Sequence, residues 1–351
     1  VRTLAEAYRR FAEQQADGGS PLSGRVAAAL SGSEAAMRAV GALPARRRQP
    51  AVVLAALHDL ALGGTAPALA AALAEGDGDA AARAGVDALV GMAGAVAALV
   101  ARRLPQTVDT ARCAVLHPAV AEAARRLGAA SVGLVDVGGA PGLNLQLDRV
   151  AIRYGDGPAV GDPSSAVQIA ATVVGDRPVP TGPLPHLVAR IAVGPHPVDV
   201  TDPDDVRWLR ACVPPDHAER AARLAAELAL AASAPPVIVR GEVDDVLPEA
   251  VARVPAGALP VVTTTWALSA LPREGRQRFL RRLEEVAAER PVAWVSAEGV
   301  GVAPSVPTLG DRPASGHSIV GLALLGGPAP RIEVLGRCWS RGRLLSWLAG
   351  S

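Results

Sequence analysis

The chain contains no lysine, so all 35 of its Lys-plus-Arg positions are arginine. This excludes mechanisms that need a side-chain amine: pyridoxal phosphate held as a Schiff base, a phosphate-loop lysine, or an amine nucleophile. Cysteine is nearly as scarce. Cys113, Cys212 and Cys338 are odd in number and far apart, with no pair at metal-ligand spacing, so neither a disulfide framework nor a zinc cluster is expected and a reducing compartment fits. Two Phe, two Tyr and five Trp leave the core to Ala, Val and Leu. No charge of one sign dominates either. A net charge of +1, spread along the chain, offers no field to gather nucleic acid or a membrane surface. The one dense basic run, Arg46, Arg47 and Arg48, reads as a solvated loop.

Long hydrophobic runs are missing as well. The most apolar stretch, Ala88 to Ala101, has the length of a buried helix and falls short of a membrane span. No basic segment followed by an apolar core opens the sequence, so no signal peptide is recognisable and a soluble cytoplasmic protein is expected. The Gly-x-Ser-x-Gly elbow, the His-Glu-x-x-His pair and the phosphate loop are all lacking, which weakens a hydrolase, zinc-peptidase or P-loop reading. The six histidines show no local ligand spacing, and no metal is expected. His58, in AALHDLAL, reads as structural.

What is present divides in two. From residue 1 to about 128, apolar residues recur at three and four between Gly and Pro breakers, predicting an all-helical domain or cap. Its helices are expected at Leu4–Gln15, Pro21–Leu30, Glu34–Val40, Pro50–Leu62, Pro67–Glu75 and Ala80–Arg103. From residue 129 to 351, short apolar runs alternate with helical stretches, predicting an α/β domain whose mostly parallel sheet has helices on both faces. His317–Leu325 and Arg331–Cys338, divided by a Gly/Pro turn, predict a terminal antiparallel hairpin.

The most informative stretch is Ser131 to Asp148, SVGLVDVGGAPGLNLQLD. A buried strand is interrupted at Asp136, just before Gly138, Gly139 and Gly142. Asn144 to Asp148 then reads as the start of a helix. The first amides of such a helix lack partners within it and favour an anionic or strongly polar guest in the turn. The same glycines also suit a turn that only permits close packing. Asp-x-Gly-Gly-x-x-Gly is similar to the first motif of S-adenosylmethionine-dependent methyltransferases, where the loop passes under the methionine and ribose.

Open parallel sheets bind ligands beyond the carboxyl ends of their strands. Four polar clusters fall at predicted strand ends: Asp136 with its glycine loop, Arg240–Asp245, Thr263–Ser269 and Ser296–Gly299. Upstream, Gln106, Asp109, Arg112 and His117 lie in a stretch where capping and site chemistry are both open. Asp109 and Arg112, three apart, share a helical face.

Residues around Arg112, together with VDVGGAPGLNLQLDR, VDVTDPDDVRWLRA, VRGEVDD, ALPREGRQRF and WVSAEG, resemble the bacterial family called domain of unknown function 2332, from about Pro50 to Trp347. The resemblance implies a Rossmann-like, methyltransferase-type fold behind a helical N-terminal region. It implies Asp136, Gly138, Gly142 and Asn144 in the cofactor-type loop, with Glu242, Asp244 and Asp245 at a neighbouring strand end. The sequence departs from the family at Val108 and Ala297, where members tend to carry Asn, and at Gly194, where members often carry the acid that takes ribose hydroxyls.

Two enzyme readings follow, both with a small polar metabolite as substrate. In the first, a methyltransferase uses S-adenosylmethionine through Asp136, Gly138, Gly139, Gly142 and Asn144, with Glu242, Asp244, Glu298 and His117 as candidate bases. In the second, the fold is kept without the cofactor, for an elimination or cyclisation in a biosynthetic pathway, drawing on Gln106, Asp109, Arg112, Glu242 and Trp266. A third reading is a non-catalytic partner subunit or homo-oligomer built through Ala/Leu-rich helices.

Overall fold

The computed structural model describes residues 2–16, 19–106, 110–139 and 141–350. The element order is α1 (Arg2–Ala16), α2 (Pro21–Gly32), α3 (Glu34–Ala42), α4 (Pro50–Leu62), α5 (Pro67–Glu75), α6 (Gly78–Gly91), α7 (Ala93–Arg102), α8 (Cys113–Leu127), β1 (Ser131–Val137), β2 (Ala151–Tyr154), β3 (Ala159–Gly161), β4 (Gln168–Val173) and β5 (His186–Gly194). There follow α9 (Pro203–Ala211), α10 (Ala218–Ala232), β6 (Val237–Arg240), α11 (Val243–Ala252), β7 (Leu259–Thr265), α12 (Arg273–Ala287), β8 (Val292–Gly299), β9 (Ser318–Leu325), β10 (Arg331–Trp339) and β11 (Leu344–Trp347). The chain forms two compact units, Val1–Val108 with Thr201–Ala225, and Asp109–Val200 with Ala226–Ser351.

The first unit is helical, and its boundaries follow from local chemistry. Ser20 accepts from the Ser23 amide, Ser33 from Ala36, and Asp77 from Asp79 and Ala80, each capping the helix it precedes. Proline opens α2, α4 and α5, and Gly76 closes α5 in the left-handed conformation. The core gathers Tyr8, Leu30, Met37, Leu57 and Leu89 around Trp208 of α9.

Two expectations are corrected in this unit. The single helix expected over Ala80–Arg103 is two, α6 and α7, meeting at Met92 with a bend of 85°. Gly91, at the end of α6, is a poor helix former and favours the break. The Arg46–Arg48 run is solvent-exposed at Arg46 but not throughout. It lies on a 3-10 turn, Ala45–Arg47, with Arg47 buried and donating to the Arg103 carbonyl, while Arg48 donates to the Leu43 carbonyl (3.2 and 2.7 Å). His58 is half-buried against the Ala211 carbonyl (3.2 Å), and burial lowers its pKa. Among the described residues no single helix is long and apolar enough to cross a membrane.

The second unit carries an 11-stranded sheet in the order β3-β2-β4-β11-β10-β9-β8-β7-β1-β5-β6. The block β8-β7-β1-β5-β6 is parallel throughout. From β1 the chain adds β5 and β6 on one side and β7 and β8 on the other, so strand order reverses at β1. β9 and β10 are the expected antiparallel pair, and β11 follows, antiparallel to β10 and parallel to β4. Alternate residues of the parallel block serve two cores. Val132, Leu134, Val261 and Val295 pack with α8, while Val135, Val137, Val262 and Trp294 pack with α11 and α12. The Tyr154 hydroxyl fastens β2 to the start of α8 by donating to the Ala114 carbonyl (2.7 Å).

The helix expected after the glycine turn does not form. Gly142, at φ +65°, opens only a 3-10 turn, Leu143–Leu145, and the chain proceeds to β2. Leu145 and Leu147 belong to the α8-side core, and Leu143 is buried too. Leucines at 143, 145 and 147 recur at a period of two, which suits extended chain and not a helix.

Trp208 is buried in the helical unit and its Nε1 donates to the Leu104 carbonyl (2.9 Å). Trp208→Ala is expected to lower stability by about 3–5 kcal/mol, read from urea unfolding followed by circular dichroism.

Candidate functional site

The parallel register brings the carboxyl ends of β1, β5, β6, β7 and β8 to one edge of the sheet. At the end of β1, Asp136 is fully buried and in register with Thr263 of β7. Thr263 Oγ1 donates to Asp136 Oδ1 (2.7 Å) and Asn144 Nδ2 donates to Oδ2 (3.2 Å). Burial pushes the Asp136 carboxyl up to about 6, against the opposing pull of Thr263, the Arg112 charge and Asn144. Gly139 is glycine because of this carboxylate: a Cβ there would lie 1.6 Å from Asp136 Oδ2.

Arg112 enters from the turn that leads into α8. Its Nη1 donates to Thr265 O and Oγ1 (3.0 and 3.1 Å), and its guanidinium lies 5.3 Å from the centre of the Trp266 ring. Asn144 Nδ2 also reaches Thr265 Oγ1 (3.4 Å), so Arg112, Thr265, Asn144, Asp136 and Thr263 form one connected cluster. Trp266, the residue after β7, lies at φ +54°, a left-handed backbone that costs a non-glycine residue roughly 1–2 kcal/mol. Its indole donates to Ser318 Oγ (2.8 Å).

Glu298, at the end of β8, holds the next turn. Its Oε1 accepts from the Ala267 and Leu268 amides (3.0 and 3.1 Å), while Arg276 of α12 donates to the Leu268 and Leu271 carbonyls (2.9 and 3.0 Å). The turn after Trp266 is thus gripped by a carboxylate at its amides and a guanidinium at its carbonyls. Glu298 Oε2 is buried with no hydrogen-bond partner, and burial pushes this carboxyl up to about 7.

The remaining expected residues lie apart from this cluster. Glu242 is exposed at the start of α11 and makes no capping bond. Asp244 pairs with Arg278 (2.6 Å), which holds its carboxyl below the usual range. His117 is buried within α8, and burial pushes its imidazole down to about 4, so it is neutral at pH 7. Asp109 lies outside the described residues. Burial pushes the Cys338 thiol up to about 12 and that of Cys212 up to about 11, far from thiolate chemistry.

The glycine turn itself differs from the expectation of amides open to a guest. With no helix behind it, the Gly138 amide donates to the Val193 carbonyl (2.9 Å) and the Gly142 amide to the Gly139 carbonyl (2.8 Å). A Cβ on Gly142 would lie 2.6 Å from Pro236, and one on Gly138, at φ +74°, 2.8 Å from Ala267. Gly138, Gly139 and Gly142 thus lie against Ala267, Asp136 and Pro236, while Gly138 itself stays exposed. Gly194, at the end of β5, is the opposite case. It is buried, yet among the described residues a Cβ built on it meets nothing within 4 Å.

Sequence reasoning missed Arg276, the partnership of Thr263 with Asp136, and the space at Gly194. The run TTTW marked the threonines as strand-end polar residues, but only the register between β1 and β7 pairs Thr263 with Asp136. Among the described residues no three His, Cys, Asp or Glu side chains converge to hold a metal ion. A separate recess of about 420 Å³ lies in the helical unit, lined largely by apolar residues such as Leu69 and Met92, with Arg83 and Asp87 as its charges.

The chain belongs to the family described as "Uncharacterized protein conserved in bacteria (DUF2332)", which matches residues 5–347. No curated protein and no solved structure matches it.

Gly139→Ala forces the Asp136 carboxylate out of its buried seat and is expected to cost more than about 2 kcal/mol, whereas Gly194→Ala stays within about 0.5 kcal/mol; urea midpoints of the two variants check this. Asp136 and Glu298 are both raised above their ordinary values, so the folded protein binds more protons than the unfolded chain between about pH 4 and pH 7. Their contribution is greatest below pH 4 and falls as pH rises through 6 and 7. Asp136→Asn is expected to flatten the decline in urea midpoint between about pH 4 and pH 6.5, removing at most about 3 kcal/mol of it.

Proposed function

We propose, starting from membership of that family, that the chain is a small-molecule enzyme on a Rossmann-like, methyltransferase-type fold, with S-adenosylmethionine as its cofactor and a polar metabolite as methyl acceptor. The observation that carries this reading is that, among the described residues, nothing comes within 4 Å of a Cβ built on buried Gly194, on β5, the strand beside β1 and its glycine turn. The reversal of strand order at β1 supports it, because ligands of open α/β sheets lie beyond the carboxyl ends at such a point.

The cofactor fits these residues in part. A Cβ at Gly194 meets none of the described residues, and in this reading the ribose lies there, but position 194 has no carboxylate to accept its hydroxyls. The first acid past the end of the neighbouring strand β6 is Glu242, just before α11, whose exposed side chain makes no capping bond, and it takes the acceptor role in this reading. Gly138, exposed at the mouth of the turn, lets the ligand approach bare backbone. S-adenosylmethionine supplies an electrophilic methyl group on a sulfonium. The chain contributes positioning, with Arg112, Trp266 and Asn144 forming the polar wall at the end of β7.

A second reading, a cofactor-free enzyme using the same crevice, draws on a different observation. The Asp136 carboxylate is taken up by Thr263 and Asn144, and Gly139 and Gly142 are packed by Asp136 and Pro236, which narrows the room for a methionine chain under the turn.

Isothermal titration separates the two. S-adenosylmethionine at millimolar concentration is expected to give binding heat, and Gly194→Asp to tighten binding at least about tenfold by restoring charge-assisted bonds to the ribose. An absence of heat with both proteins removes the methyltransferase reading and leaves the cofactor-free one.

A further inference from the structure

The recess of the helical unit exists because small side chains line it. Ala80, Ala84 and Ala88, one residue per turn of α6, share its wall with Thr65–Leu69 at the start of α5, and larger side chains there would fill it. The space left is about 420 Å³, within the roughly 300–1,000 Å³ of small-molecule pockets. Buried Leu69 and Ala88 form its floor, and half-buried Met92, at the bend between α6 and α7, adds an adaptable apolar wall. Two charges stand at the rim: Arg83 and Asp87, both exposed, one turn apart on α6. Residues four apart on a helix often pair, but base before acid is the weaker order, and among the described residues no ion pair or hydrogen bond joins these two. Arg83 feels the through-space pull of Asp77, the cap of α6, and bonds to no described side chain.

We propose that this recess binds an apolar α-amino acid as its zwitterion, with the carboxylate on Arg83, the ammonium on Asp87 and the side chain over Leu69, Ala88 and Met92. An opposite charge meets each rim residue, and the apolar floor meets a group with nothing to hydrogen-bond. α5 begins in the same wall with Pro67 and no side-chain cap, so its first amides add a weaker pull on the carboxylate end. Simpler guests match less of the site. A lipid chain leaves both charges unused, a carboxylic acid without an amine brings its charge close to Asp87, and a polar side chain loses its water over the floor without gaining a partner. All of these residues belong to the helical unit, so the site stands whichever ligand the strand ends take.

The test is isothermal titration of the full chain with L-leucine and L-phenylalanine, beside three probes that each lack one anchor of leucine. 4-Methylpentanoate has no ammonium, 3-methylbutylamine has no carboxylate, and glycine has no apolar side chain. At millimolar concentration at least one of the two apolar amino acids is expected to give saturable heat, and each truncated probe to bind at least about tenfold more weakly than the better of them. Arg83→Gln and Asp87→Asn are each expected to weaken that binding at least about tenfold, and Ala84→Leu, which fills the recess without touching either charge, to abolish it. Arg83 and Asp87 are exposed, so their variants keep the fold, checked by circular dichroism, and decide the matter even where Ala84→Leu disturbs packing. Absence of heat with both amino acids, a truncated probe that binds as tightly as they do, or binding that survives the two charge variants or a folded Ala84→Leu protein would overturn the proposal.

Discussion

The strand-end architecture depends on the burial of one carboxylate. Asp136 is removed from water at the end of a central parallel strand, where an unbonded carboxylate would cost several kcal/mol. Everything around it answers that cost. Thr263 is placed opposite by the β1–β7 register, Asn144 is brought back by the short 3-10 turn, and position 139 must lack a Cβ for the carboxylate to lie where it does. The glycine turn and the threonine-rich end of β7 are therefore parts of one electrostatic solution. Asp136 is also the reason Asn144 and Thr265 meet, and Thr265 in turn receives Arg112.

Glu298 presents the same problem with a different answer. Its donors are backbone amides of a neighbouring turn, so desolvation and local conformation are coupled there in a way they are not at Asp136. Two carboxyls of one sheet edge, both raised by burial, thus differ in what their ionisation disturbs. One is held by side chains from a strand and a tight turn. The other is fastened to the amides of a 3-10 turn that the Ala297 carbonyl, Arg276 and buried Leu268 also hold.

Much of the architecture was legible because the breakers are explicit. Pro50 and Pro67 open helices at the residues where they stand, and Gly76 closes one. Strands β5 through β8 showed as apolar runs separated by helical periods, and β9 and β10 as two runs divided by a Gly/Pro turn. β11 escaped notice because LLSW is too short to carry a pattern, and its place is fixed by a pairing with β4 that lies far back in the sequence. The false helix after Gly142 came from reading residue types instead of spacing. In the site, residue types pointed to Asp136, Asn144, Arg112 and Glu298. What Glu298 does there could not be read from them, since its partners are amides contributed by another strand's exit loop.

The position of β11 has a consequence for how the molecule is assembled. It pairs with β10 on one side and with β4 on the other, through Leu344 opposite Thr172 and Leu345 opposite Val173, and so it is the keystone joining the early ribbon of β2, β3 and β4 to the rest of the sheet. Until this late segment leaves the ribosome, β4 is an unguarded edge, and closure of the sheet waits on contacts separated by some of the longest loops in the chain. Synthesis order and sheet order run against each other here, so the sheet can close only after β11 has joined β4 and β10.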